Sequence, residues 1–363
     1  MEMSLDLYVD YLICSTSYTT ATGLSRLTDN ALSHDKVTRF LSSKDFTNAD
    51  LWLKAKSLYK SIEDDAGVLI IDDTIEEKPY TDENEVIAWH FDHKHGRSIK
   101  GINFVSVLYE ASKGSVPLGI EPVRKDTTVK DKKTGKDRRK ASVSKQQHFR
   151  SLIVGAIKNN VNFKYVLNDI WFTTAENMIF VKIECKKHFI AAVKGNRKVA
   201  LSETDKKLSK FVRIDSLELE EGKTVWLESL DFSLRLVRQV FKNEDGSTGV
   251  LYLVSSDPEL TDEQITTIYK RRWKVETYHK SIKCNASLAK SPGKTSRTQL
   301  NHLFASLCGY IRLESISKLI GNNHFALKHK IYISALKAAM CELQQMAAQT
   351  ILVQTGNAST ASA

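Results

Sequence analysis

Apolar residues recur with helical spacing from Leu5 to about Lys60, interrupted only by short polar segments. Ser33 stands where one helix would be N-capped, and Thr47 or Asn48 where the next would begin. We therefore predict a small helical module over residues 1–62. Within it, the segment Thr22–Leu41 fits either a helix-turn-helix or part of a plain helical bundle.

The pattern then changes to that of strands joined by turns. The run Val68–Ile71 is continuously apolar and β-branched, as in a strand buried on both faces, and it ends in Asp72 and Asp73. Two further strand-like runs, Ile102–Tyr109 and Val116–Val123, are separated by a turn. This order predicts an antiparallel meander.

A helix predicted over Ser144–Asn159 leads to a second buried strand, Phe163–Leu167, which stops at Asp169. A helix over Ala175–Ile183 and a strand over Phe189–Val193 follow. The alternation indicates an α/β core with a mixed sheet and flanking helices, of which residues 63–197 form the first part.

Alternation of apolar and polar residues, with hairpin turns between the alternating runs, predicts a β-rich insertion over residues 198–257. Helical spacing returns at Thr261 and continues to about Cys284. Pro292 and Gly293, further along the chain, break the helical pattern. Residues 258–325 would complete the core. Residues 326–363 would form a C-terminal helix and tail.

The positive charge of the chain is concentrated in one segment. The net charge is +10, with a sequence pI near 9.1. Between Arg124 and Arg150 stand eleven basic and three acidic residues, so this stretch alone carries +8. Such a run is either solvated surface or a contact for a polyanion, of which nucleic acid is the first to consider. Its middle, Lys130–Lys140, is typical of a solvated loop.

Five cysteines are scattered without C-x-x-C pairs, which argues against a disulfide framework or a zinc ribbon and fits a reducing compartment. Apolar runs are too short to cross a bilayer, and the N-terminus has no signal-peptide pattern. We expect a cytoplasmic protein without membrane contact.

Four polar residues share one face of the predicted helix that begins at Thr261. At about 100° per residue, Tyr269, Arg272, Glu276 and Lys283 fall within about 60° of one another. We call these four residues the helix stripe. A solvent-facing helix with ion pairs such as Arg272 with Glu276 would explain half of the stripe. A carboxylate between cations also suits a metal ion held against phosphate.

Two strand-end aspartates, Asp73 and Asp169, favour the second explanation. In α/β sheets, catalytic groups gather at strand ends, although aspartates there also cap turns. Together with Glu276 they would supply oxygen ligands for Mg²⁺, with Mn²⁺ as a substitute. Such a site suits phosphoryl transfer.

The segment His90–His95 contains several residue types that bind zinc. It also leads into Arg97 and Lys100, and a basic loop that contacts DNA explains it better than a zinc site does.

The segment Tyr269–Lys283 resembles the Y-x2-R-x3-E-x6-K element of bacterial DDE transposases of insertion-sequence family four, and all four positions match. Ile71–Thr74 resembles the family's first catalytic aspartate, Asp73, with its following threonine. Leu167–Trp171 resembles the second, Asp169. Asp72 is the rival of Asp73, which is preferred because it directly precedes Thr74. The resemblance spans about residues 65–310.

The resemblance implies a ribonuclease-H-like fold interrupted by a β-rich insertion. It also implies cut-and-paste transposition: nicking at a transposon end, attack of the freed 3′-hydroxyl to form a hairpin, resolution, and strand transfer. Arg272 and Lys283 would hold backbone phosphates, with Tyr269 assisting. Some relatives stack an insertion tryptophan on a displaced base; here Trp226 and Tyr252 are the nearby aromatics, and neither matches the expected position.

The expected partners are double-stranded DNA at the inverted-repeat ends and at the target site. A homodimer would bridge two ends in a synaptic complex, with the C-terminal helix as candidate interface, and the bound protein would be nucleoid-associated. Further DNA contacts are expected from basic residues near these elements: Lys280, Arg97, Lys100, Arg138, Arg139 and Lys140. The alternatives are a nuclease of the same fold without strand transfer, and an inactive transposase-derived DNA-binding protein.

Overall fold

The computed structural model describes residues 1–93, 95–130, 135–242 and 245–360, the last eleven as backbone only. The helices are α1 (Leu5–Cys14), α2 (Ala21–Leu27), α3 (His34–Ser43), α4 (Asn48–Ile62), α5 (Lys145–Lys158), α6 (Ala175–Ile179), α7 (Glu203–Lys207), α8 (Asp262–Lys270), α9 (Lys274–Cys284), α10 (Ser296–Ile320) and α11 (His324–Thr360). The strands are β1 (Val68–Glu77), β2 (Ile87–Asp92), β3 (Arg97–Ala111), β4 (Gly114–Pro122), β5 (Thr127–Lys130), β6 (Asp137–Lys140), β7 (Tyr165–Asn168), β8 (His188–Val193), β9 (Lys198–Ala200), β10 (Val212–Arg213), β11 (Lys223–Leu227), β12 (Leu234–Lys242) and β13 (Thr248–Ser255).

Five strands form a mixed sheet in the order β4-β3-β1-β7-β8. Strand β1 runs antiparallel to β3 and parallel to β7, and β7 runs parallel to β8. Strand β4 pairs with the far edge of β3. The residues Val68–Ile71 are fully buried, as their continuous apolar run requires. This arrangement is consistent with the ribonuclease-H-like fold expected from the sequence.

The insertion extends the same sheet. Strand β13 pairs with β8, and β12, β11, β9 and β10 follow outward in that order. The region also contains the short helix α7, which Ser202 caps. The β-rich segment expected over residues 198–257 thus contains one short capped helix among its strands.

The N-terminal helices pack on α10 and share one apolar core with the sheet. Tyr8 and His302 are hydrogen-bonded at 2.9 Å, and Arg312 forms ion pairs with Asp6 and Asp10. Thr47 caps α4 in a reciprocal pair with Asp50. Helices α2 and α3 contact each other across residues 28–33, so a DNA-docking helix-turn-helix stays a prediction.

Three strands, in two regions of the chain, lie where loops were expected from the sequence. Strand β2 pairs with β3, where a basic loop was expected around His90–Lys100. Strands β5 and β6 form a two-stranded antiparallel ribbon in the basic stretch, where a loop was expected; residues 131–134 of that loop lie outside the described residues. Strands β5 and β6 are exposed along their whole length, so their polar side chains show no apolar alternation, whereas β2 exposes the aromatic residues Trp89 and Phe91.

The C-terminal helices follow the predicted order. Helix α8 begins at the capping box of Thr261 and Gln264, and a 3₁₀ turn over Arg271–Trp273 joins it to α9. Helix α11 runs from His324 to Thr360, where a C-terminal helix and tail were expected over residues 326–363. Among the described residues, no helix is both long and apolar enough to span a membrane.

Candidate active site

Strand β1 continues to Glu77, so Asp72 and Asp73 lie in its middle and not at its end, as the apolar run Val68–Ile71 had suggested, and they face opposite sides of the sheet. Asp72 lies opposite Ser106 of β3, and Ser106 contacts His279 of α9 at 3.0 Å between Oγ and Nε2. Asp73 lies opposite Val105, on the face that α5 covers. Since side chains alternate along a strand, Asp72 faces α9 and Asp73 faces α5.

Asp73 is held by two neighbours on its own face. Its Oδ2 atom accepts from Lys145 Nζ at 2.6 Å and from Asn103 Nδ2 at 3.2 Å. Lys145 is the first residue of α5, directly after the N-cap Ser144. Neither Lys145 nor Asn103 was a candidate from the sequence, because nothing in their local patterns indicates that they meet Asp73.

Asp169 follows the last residue of β7. Asn168 pairs with Ile71, so the parallel register places Asp169 beside Asp72 one step further along. Its Oδ1 atom accepts from the backbone N–H groups of Trp171 at 3.0 Å and Phe172 at 3.3 Å. The carboxylate therefore caps a 3₁₀ turn, as strand-end aspartates often do, and lies beside the middle of β1, where β7 ends.

Arg272 lies between two carboxylates of the candidate site. Its guanidinium contacts Asp72 Oδ2 at 3.7 Å and Glu276 Oε1 at 3.2 Å. The side chains of Arg272 and Asp72 are about one-sixth exposed (15% and 16%), whereas that of Glu276 is 43% exposed. Arg272 thus connects the glutamate of α9 to the aspartate on the facing side of β1.

The other two stripe residues also contact the strands that carry the aspartates. Lys283 Nζ donates to the carbonyl of Ile75 in β1 at 2.6 Å and lies 3.7 Å from Glu76. Tyr269 Oη donates to the carbonyl of Asn168 in β7 at 3.3 Å. Three of the four stripe residues, Tyr269, Arg272 and Lys283, therefore contact β1 or β7, and the more exposed Glu276 is joined to them through Arg272.

The aspartates are close enough to perturb one another. Burial, followed by the charges of Asp169 and Asp73, raises the pKa of Asp72 to about 7, against the opposing effect of Arg272. Burial and the charge of Asp73 likewise raise the pKa of Asp169, although the Phe172 and Trp171 N–H groups oppose the shift. Burial raises the pKa of Tyr269 to about 12. Negative charge is thus incompletely neutralised at this edge of the sheet.

The chemistry of these donors suits a hard divalent cation, because carboxylate oxygens are its preferred ligands and added positive charge would relieve the raised pKa values. The geometry is not that of a preformed centre. Within the described part of the chain, no three His, Cys, Asp or Glu side chains lie close enough to share one metal ion. Two features explain this: Asp72 and Asp73 point to opposite faces, and Arg272 stands between Asp72 and Glu276.

The expected DNA contacts occupy separate surfaces. Arg138, Arg139 and Lys140 lie on the exposed strand β6. Arg97 forms a surface ion pair with Glu77 at 3.1 Å. Further contacts were expected from Lys100, which is half-buried on β3, and from Lys280, whose Nζ lies 5.4 Å from the ring centroid of Phe325.

Comparison with known families decides the class of protein. A family model described as a DDE superfamily endonuclease matches residues 2–207, which is more than half of the chain. The chain belongs to the DDE superfamily of endonucleases. No curated protein matches it in sequence.

Membership in the DDE superfamily implies an enzyme that acts on DNA, in a family that typically uses divalent metal ions. The match includes both candidate aspartates of β1 and Asp169, and also the N-terminal helices α1–α4. It ends before α8, so the roles of Glu276 and of the rest of the helix stripe depend on the geometry described above.

Proposed function

We propose that this DDE endonuclease is a cut-and-paste DNA transposase that cleaves transposon ends and joins them to target DNA, passing through a hairpin intermediate. The observation that carries the proposal is that Asp72, Asp73 and Asp169 lie next to one another where β7 ends, and that Tyr269, Arg272 and Lys283 of the helix stripe contact the same two strands. Superfamily membership supports the cleavage step, and the resemblance of the stripe to insertion-sequence transposases supports the later ones.

Asp169, Glu276 and one aspartate of β1 are the proposed metal-binding and catalytic carboxylates. The motif Asp73-Thr74 favours Asp73, whereas the shared face with Arg272 and Glu276 favours Asp72. A divalent ion such as Mg²⁺ or Mn²⁺, when bound by these oxygens, would supply activation of the attacking hydroxyl and neutralisation of the leaving oxygen. Release of Arg272 from Glu276 would free the glutamate to join the aspartates.

The remaining stripe residues are proposed to position the DNA strand. Arg272 is able to exchange its carboxylate partners for a backbone phosphate, since its planar guanidinium donates to either group. Lys283, with its charge beside Glu76 and the end of β1, would hold a neighbouring phosphate. Tyr269, whose phenol stays protonated and can donate, would form a hydrogen bond or pack against the sugar.

Assembly as a homodimer is part of the proposal, since two ends must be brought together. Helix α11 supports it: Ile333, Leu336, Met340 and Leu343 are exposed and follow the three-and-four spacing of a helix-pairing seam. Sedimentation of the full-length protein, with and without DNA ends, tests this. Leu336→Glu with Met340→Glu should abolish the dimer, whereas Lys337→Glu on the same helix should leave it intact.

The function is tested with the DNA that flanks the gene, because inverted repeats there would be its substrate. End-labelled fragments are incubated with the protein and Mg²⁺ or Mn²⁺, and nicks, hairpins and strand-transfer products are separated on denaturing gels. Hairpins and joined products support the transposase. Nicks without joining would instead identify a nuclease of the same fold, and binding without any cleavage an inactive DNA-binding derivative.

Single alanine variants of Asp72 and Asp73 assign the first carboxylate. The variant of the ligand should lose cleavage while it still binds DNA, and the other variant should retain measurable cleavage. Asp231→Ala is the matched control, because that carboxylate is fully exposed and lies outside the site. Full activity in both β1 variants would contradict the site assignment.

A further inference from the structure

Three aromatic rings contact one another at the protein surface beside Asp169. The ring centroids of Phe91 and His93 are 4.9 Å apart at an interplanar angle of 74°, and those of His93 and Trp171 are 5.1 Å apart at 42°. Phe91 is 53% exposed and Trp171 is 50% exposed, and His93 is exposed as well. We call these three residues the aromatic cluster. Each retains ring surface that the protein does not cover.

The cluster brings together two separate parts of the chain. Phe91 lies in β2 and His93 in the turn that follows, whereas Trp171 belongs to the 3₁₀ turn after β7. The Trp171 N–H donates to Asp169 Oδ1 at 3.0 Å, and its carbonyl accepts from Gln146 Nε2 at 3.0 Å. The backbone of Trp171 is therefore fixed on both sides, two residues from a proposed catalytic carboxylate.

Positive charge accompanies the cluster. Lys125 Nζ donates to the carbonyl of Trp89, two residues before Phe91 in β2. Lys145, which contacts Asp73, directly precedes the Gln146 that holds Trp171.

Both lysines also lie close enough to His90 of β2 to affect its pKa. Burial, followed by the charges of Lys125 and Lys145, lowers the pKa of His90 to about 3. Cations and exposed rings side by side are the features that bind unpaired nucleic acid.

We propose that Phe91, His93 and Trp171 stack on unpaired bases of the DNA strand next to the scissile phosphate. The inference rests on the proposed function, because its ligand is the strand that the carboxylates would cut. Bases of an intact duplex already stack on one another and expose only their edges, so open rings at the active site fit bases that have left the helix.

The insertion aromatics are less suited to this role. Trp226 lies within β11, paired with Ala200, and Tyr252 lies within β13, paired with Val193. Both are only partly exposed. The aromatic cluster offers more open ring surface and is attached directly to the Asp169 turn, so we assign base stacking there and not to the insertion.

The test measures DNA binding in EDTA, where cleavage is absent, with the full-length protein. The probe is a duplex with a short single-stranded extension that contains 2-aminopurine, whose fluorescence is quenched when it stacks on a ring. Wild-type protein should quench the probe. Trp171→Ala should reduce the quenching and weaken binding to this probe by roughly fivefold or more, the effect of losing one aromatic–base stack.

Three comparisons make the result decisive. Trp171→Phe retains a ring and should keep most of the affinity, and Tyr80→Ala, which removes a 96% exposed aromatic outside the cluster, should change nothing. Affinity for a blunt duplex should be the same in all variants. Unchanged quenching in Trp171→Ala would overturn the proposal. An equal loss for blunt and extended DNA, or an equal loss in Trp171→Phe, would show a merely structural contact and would also overturn it.

Failure of this inference is distinguishable from failure of the proposed function. A wild-type protein that cleaves DNA ends while Trp171→Ala binds the probe normally refutes the stacking role alone. A wild-type protein that neither cleaves nor joins DNA refutes the transposase, and the quenching measurement still decides whether the cluster binds bases.

Discussion

Replacing Asp72 by asparagine should stabilise the metal-free protein at alkaline pH. The Asp72 side chain is 16% exposed, and its pKa is raised to about 7 by burial and by two neighbouring aspartates. A shift of about three pH units corresponds to up to about 4 kcal/mol of unfolding free energy, at about 1.4 kcal/mol per unit. Asparagine has nearly the same shape and carries no charge, so it removes this cost.

The pH dependence has a definite sign. A raised pKa means that the folded state favours the protonated carboxyl, so its stabilising contribution is complete below the unfolded pKa, near 4. That contribution is lost as the pH rises through about 7. The advantage of Asp72→Asn over wild type should therefore be largest at pH 8, smaller at pH 6 and absent below pH 4.

Urea denaturation in EDTA at these pH values measures the effect. Asp73→Asn is the matched control on the same strand, because it removes the ion pair with Lys145 and leaves that half-buried lysine without its carboxylate. It should cost about 1 kcal/mol or more. The reasoning is refuted if Asp72→Asn destabilises the protein at pH 8, or if its gain does not change with pH.

Two further predictions concern packing and charge. Gly101→Ala should destabilise the fold by about 1 to 3 kcal/mol in thermal melts, because its Cβ would lie 2.2 Å from the Glu76 carbonyl. Gly155 lies in α5 with open space around it, so Gly155→Ala should stabilise the fold by about 0.5 to 1 kcal/mol. If Gly101→Ala and Gly155→Ala changed the stability equally, the packing described for Gly101 would be contradicted. Replacing Arg138 and Arg139 by glutamine should lower the slope of log affinity against log salt concentration by about 2, and an unchanged slope would exclude both from phosphate contact.

Patterns of local spacing predicted much of the fold. The apolar run Val68–Ile71 became the buried part of β1, and three residues of the stripe that the periodicity grouped, Tyr269, Arg272 and Lys283, contact β1 or β7. Such features are predictable because burial on both faces of a strand, or on one face of a helix, produces a regular pattern of apolar residues within a short stretch of sequence. Strand β2 was missed because Trp89 and Phe91 point outward there.

Relations between distant segments were not visible in the sequence. The contact between Lys145 and Asp73 depends on how α5 crosses the sheet, and no spacing along the chain records it. The position of Arg272 between Asp72 and Glu276 depends likewise on the packing of α9. The motif around Thr74 also cannot tell which of two adjacent aspartates faces α9, since that is decided by strand alternation in the folded sheet.

The most direct test of the central claim is DNA cleavage by Asp169→Asn. This substitution keeps the oxygen that caps the Trp171 turn and removes the charge proposed to bind the metal ion. We predict that the variant binds DNA ends with wild-type affinity and melts at or above the wild-type temperature, yet cuts neither strand in Mg²⁺ or Mn²⁺. Cleavage at the wild-type rate by Asp169→Asn would contradict the account.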